Sequence, residues 1–95
     1  MEIKEFFEKY QSLGFEVIAK ICEAEAGNEL VSHNTYSDLV EEMENYADMD
    51  RDNEWDDYEY DIHVKASKDG EVIELDTDNW RYMTAEEILD KLKNK

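Results

Sequence analysis

The sequence predicts a small α+β fold, a single domain over residues 1–95 with the order helix, helix, β-hairpin, helix. Three observations lead there. Apolar residues recur every three or four positions over two long stretches, the period drops to two between Asp57 and Ser67, and Asp69-Gly70 then supplies a hairpin turn. Ninety-five residues suffice for one core, whereas two cores would leave about fifty residues each, near the lower limit for folding without metals or disulfides.

Ile3, Phe6, Phe7, Tyr10, Leu13, Val17, Ile18, Ile21 and Cys22 fall on one stripe of an amphipathic helix from about Glu2 to Ala26. Gly14 is its weak point, because glycine inside a helix costs about 1 kcal/mol relative to alanine. The alternative ends the helix near Leu13, with Gly14 at the C-terminal cap and a strand from Phe15. The long helix is preferred because Gly27-Asn28 supplies a second and better stop. Thr35 and Asp38 form a weak variant of the capping box, and Tyr36, Leu39, Val40, Met43, Tyr46 and Ala47 place a second helix from about Tyr36 to Ala47.

In the strand that follows, Tyr58, Tyr60, Ile62, Val64 and Ala66 face one way and Glu59, Asp61, His63 and Lys65 the other. With Asp69-Gly70 as a two-residue type I′ turn, Lys68 pairs with Glu71, Ala66 with Ile73, Lys65 with Glu74 and Val64 with Leu75. Apolar then meets apolar and opposite charges meet, whereas a slip of one residue sets Val64 against Glu74. Thr84 with Glu87 is a capping box, Met83 is placed to staple onto Ile88, and Ile88, Leu89 and Leu92 give the third helix its apolar face.

The charge is unbalanced: 27 Asp and Glu against 10 Lys and Arg, a net −17, with a mean hydropathy of −0.86. That disfavours direct binding to nucleic acid or to an anionic membrane and points to a basic partner. The longest apolar run is Val17-Ile18-Ala19, far below the roughly 20 residues of a membrane span, and the first five residues lack a signal peptide's pattern, so a cytosolic location is expected. Cys22 is the only cysteine, which excludes intramolecular disulfides and cysteine-rich zinc sites, and its flanks suggest a small buried hydrophobe.

Residues 38–61 hold twelve acids and a single base, Arg51. Such runs are usually solvated surface, but mixed signs and a smaller net charge would serve solubility, and clustered like charges destabilise the fold. A row of carboxylates on successive helix turns, or on alternate strand residues, instead suits a channel lined with Lys and Arg for holding nucleic acid. The partner-binding candidates are Glu41, Glu44, Asp48, Asp50, Asp52, Glu54, Asp56, Asp57, Glu59 and Asp61, with Trp55 as a possible aromatic anchor.

A chain this short, with no cysteine pair or catalytic motif, an acid-dense middle and an α+β pattern, resembles the small DNA-mimicking inhibitors of phages and mobile elements, the anti-CRISPR and anti-restriction proteins. The resemblance rests on size, charge and element pattern. It implies a non-enzymatic protein without cofactor, monomer or homodimer, in the host cytoplasm if phage-encoded. Its partner would be a basic nucleic-acid-binding protein such as a nuclease or CRISPR effector, with no direct contact to nucleic acid or membrane. An immunity protein neutralising a basic toxin nuclease needs the same acidic face.

Two further readings compete. Asp48, Asp50, Asp52, Glu54, Asp56 and Glu59 fall at positions one, three, five, seven, nine and twelve of an EF-hand-like calcium loop, although Asn53 stands where the motif wants glycine and a strand follows instead of a helix. His63, flanked by Asp61 and Lys65, has no nucleophile, phosphate loop or second metal-ligand histidine beside it, and His33 has less support still. No enzyme is expected.

Overall fold

The first helix stops after ten residues, and the reason is Gly14. The computed structural model describes residues 2–52 and 58–93, and in it α1 spans Ile3–Ser12 and β1 spans Glu16–Glu23. Gly14 takes φ +88°, a left-handed conformation that side chains resist. Its N–H donates to the Gln11 carbonyl at 3.1 Å, and that of Phe15 donates to the Tyr10 carbonyl at 2.9 Å. This is the Schellman termination, completed by its apolar contact: the Tyr10 and Phe15 rings meet edge-on with centroids 5.3 Å apart. Lys68 Nζ donates to the remaining Leu13 carbonyl at 2.9 Å. The expected helix to Ala26 is therefore corrected, and the alternative with Gly14 at the cap is the structure adopted.

Beyond that turn the sequence follows period two. Val17, Ala19 and Ile21 are buried on one face of β1. The tight turn at Gly27 (φ +72°) returns the chain as β2, Glu29–His33, so Gly27-Asn28 closes a hairpin and does not end a helix. α2 then spans Tyr36–Asp52, starting where expected and running five residues further, with Thr35 Oγ1 accepting the Asp38 N–H at 3.1 Å. β3 is Tyr60–Lys68 and β4 Glu71–Glu74, joined by Asp69 (φ +50°) and Gly70 (φ +85°) as the type I′ dipeptide requires. Lys65 opposes Glu74, Ala66 opposes Ile73 and Lys68 opposes Glu71, as expected, and the Leu75 N–H donates to the Val64 carbonyl. A short 3₁₀ turn, Asp78–Trp80, leads to α3, Ala85–Lys93. Both hydrogen bonds of its capping box are present: Thr84 N–H to Glu87 Oε1 at 3.1 Å and Glu87 N–H to Thr84 Oγ1 at 3.2 Å.

The order is thus helix, hairpin, helix, hairpin, helix, and the α+β class stands. The four strands form one antiparallel sheet in the order β2-β1-β3-β4. β1 and β3 pair at its centre from Glu16 opposite Ser67 to Glu23 opposite Tyr60. Their inward residues join Ile3, Phe6 and Phe7 of α1, Leu39, Met43 and Ala47 of α2, and Ala85, Ile88 and Leu92 of α3 in one core. No helix among the described residues is long and apolar enough to cross a membrane.

Gly14→Ala should lower stability by about 1–2 kcal/mol, the penalty for a left-handed alanine, and the thermal midpoint by about 4–8 °C per kcal/mol. An unchanged melting curve would contradict the Gly14 termination of α1.

Candidate functional site

The helices lie on one side of the sheet, and this decides which acids share a surface. In α2, Leu39, Met43 and Ala47 sit one turn apart and face the sheet, fully buried. At about 100° per residue the opposite side carries Asp38, Glu41, Asn45 and Asp48 within an arc of roughly 80°, and all four are exposed. Seven acids and one base, Arg51, make up the charge of α2. Arg51 reaches Asp48 at 3.3 Å and Glu86 at 2.7 Å, and Lys93 reaches Glu44 on the flank at 3.6 Å. Among the described residues Asp38 and Glu41 make no ion pair.

The remaining candidates lie elsewhere. Glu42 points sideways and binds His33 Nε2 at 2.8 Å, tying α2 to β2. Asp50 turns inward and accepts the Tyr60 hydroxyl at 3.4 Å. Burial and, after it, the Asp50 carboxylate push the Tyr60 phenol far above the ordinary tyrosine range, so it stays a donor. Asp52 ends α2, and Glu54, Trp55, Asp56 and Asp57 lie outside the described residues.

Asp61 is a correction. It was expected on an exposed acidic strand face continuous with α2, but the outward side of β3 and the outward side of α2 lie on opposite sides of the sheet. The residue is also only 5% exposed. Oδ1 accepts the Tyr82 N–H at 2.9 Å, and Oδ2 lies 3.7 Å from Arg81 Nε. Tyr82 has φ +55°, and next to it Met83 bridges back to Tyr60, so Asp61 anchors the strained segment that leads into α3. Tyr58, expected inside with Tyr60, precedes the strand and is half exposed.

The calcium reading meets a geometric obstacle. Asp48 and Asp50 are helical, and residues two apart on a helix are rotated by about 200°, unlike the ligands of a turning loop. Among the described residues no three His, Cys, Asp or Glu side chains converge on a metal-sized site. Cys22 is buried, and that burial, reinforced by Glu29 and Asp61, pushes its thiol upward, opposite to what a nucleophile needs.

One feature was hidden from the sequence. Where α2 ends beside the β1–β2 turn and the start of β3, a cleft of about 860 Å³ opens. Glu23, Glu25, Asp50 and Glu59 supply its carboxylates. Its walls are apolar and aromatic: Leu30, Met49 and Tyr58 are 42%, 57% and 49% exposed, over Tyr46 and Tyr60. Glu23 and Glu25 precede the acid-dense segment and reach it only because residues 16–33 form a hairpin. The signal for that hairpin was the left-handed glycine pair, Gly14 and Gly27.

Compared with models of known families, with curated proteins and with solved structures, the chain matches none.

Replacing Asp61 by alanine should destabilise the protein by about 1–3 kcal/mol, since the Tyr82 N–H loses its acceptor. Asp38→Asn should leave the urea midpoint within about 0.5 kcal/mol of the parent. Equal effects of the two substitutions would contradict the different places given to these acids.

Proposed function

We propose that this chain is a non-enzymatic inhibitor that occupies the basic nucleic-acid-binding groove of another protein, of the kind formed by host defence nucleases and guide complexes, as anti-CRISPR and anti-restriction proteins do. The observation that carries the reading is the outward row of α2. From Asp38 to Asp48 the helix rises about 15 Å, comparable to the rise of about four steps along a DNA strand at 3.4 Å each. Along that distance Asp38, Glu41 and Asp48 project from a rigid scaffold into solvent, with Glu44 on the flank.

The rigidity matters. A flexible acidic tail would lose conformational freedom on binding, whereas α2 is clamped to the sheet by Leu39, Met43 and Ala47 before it meets a partner. Like charges concentrated on one helix face weaken the fold, and attraction to a basic groove gives them a use that solubility alone does not require. A toxin nuclease with a basic groove is met by the same face, and the identity of the captured partner separates an immunity protein from a phage inhibitor.

The test uses the partner captured from a host lysate, identified and purified. The triple variant Asp38→Asn, Glu41→Gln, Asp48→Asn should bind it at least about tenfold more weakly, mainly through slower association. Its thermal midpoint should be unchanged or higher, because like-charge repulsion is relieved. Full inhibition by the triple variant would sink the assignment of this face.

A further inference from the structure

The cleft at the C-terminal end of α2 has the chemistry of a socket for one particular side chain. We infer that it receives an arginine of the basic partner, an inference that rests on the polyanion reading of α2 and adds a specific anchor to it. Glu23, Glu25 and Glu59 contribute three carboxylates beside Asp50, which accepts the Tyr60 hydroxyl, and no basic side chain lines the cleft among the described residues. Beneath them the Tyr46 and Tyr60 rings stack with centroids 5.4 Å apart and planes 17° apart.

Elsewhere four aromatic rings are covered by the protein's own cations. Lys91 lies 4.2 Å from the Trp80 centroid, Lys9 lies 5.2 Å from that of Tyr10, Lys68 lies 5.7 Å from that of Phe15, and Arg81 lies 5.7 Å from that of Tyr82. Among the described residues no cation covers Tyr46, Tyr58 or Tyr60. An acidic, aromatic cleft lacking an internal cation is complementary to an external one. A guanidinium suits it better than an ammonium, because its plane stacks on a ring while its edge donates paired hydrogen bonds to carboxylates. Exposed Leu30 and Met49 offer apolar surface to the arginine stem.

The experiment titrates hexa-arginine and hexa-lysine separately into the full chain at about 50 mM salt, following affinity by calorimetry and location by backbone amide NMR shifts. Hexa-arginine should bind about tenfold more tightly than hexa-lysine and shift the amides of Tyr46, Met49 and Glu59. Tyr58→Ala and, separately, Met49→Ser replace exposed side chains, and each should reduce the preference for arginine while leaving hexa-lysine affinity unchanged. Equal affinities, with shifts confined to the Asp38, Glu41 and Asp48 face, would overturn the socket and leave the polyanion reading standing. Binding of neither peptide would overturn both. Shifts at Tyr46 and Met49 that depend on protein concentration without peptide would assign the cleft to a second copy of the chain, and would likewise overturn the inference.

Discussion

β1 and β3 pair residue by residue from Glu16 opposite Ser67 to Glu23 opposite Tyr60, and this central antiparallel contact determines where the charges of the chain lie. It places Val17, Ala19 and Ile21 beside Ala66, Val64 and Ile62 on one face, and the three helices bury that face. Because α2 must cover the face with Leu39, Met43 and Ala47, its acidic side has nowhere to point but outward. The same pairing brings Glu23 and Glu25, from the first hairpin, to the place where α2 ends and β3 begins. A chain of −17 thereby gains an ordered arrangement of charge instead of a diffuse one.

The few cations are used locally. Lys68 closes the end of α1 and lies over Phe15, Lys91 lies over Trp80, and Arg51 joins α2 to Glu86 at the start of α3. Such contacts hold elements together, and an exposed ion pair such as Arg51–Glu86 contributes at most about 1 kcal/mol. They leave Asp38 and Glu41 outside any ion pair among the described residues. Stability comes mainly from the apolar core, so changing the acids of the outward row should have little effect on folding.

Much of this was legible in the residues. The Asp69-Gly70 turn with its matched pairs gave the β3–β4 register, the Thr84–Glu87 box gave the start of α3, and Asp38, Glu41 and Glu44 were legible as the exposed side of the second helix. The first helix was misread because Val17, Ile18, Ile21 and Cys22 satisfy a helical stripe, while Val17, Ala19 and Ile21 alternate as a strand; over so short a run the two periods overlap. Gly14 decided between them, through a backbone conformation that apolar spacing does not record. β2 went unseen because its five residues contain one apolar pair, Leu30-Val31, and no alternation. Asp61 looked exposed because its partners, Arg81 and Tyr82, lie about twenty residues further on, beyond the second hairpin. The cleft was invisible for the same reason, since its walls come from three separate parts of the chain.

The central claim is that the outward face of α2 stands in for nucleic acid, and competition tests it most directly. Binding to the purified partner would be measured with and without a saturating amount of that partner's own nucleic acid, at several salt concentrations between about 50 and 200 mM. The account predicts mutual exclusion, with an association rate that falls steeply as salt screens the acidic face. Equal binding to the nucleic-acid-loaded partner would contradict it.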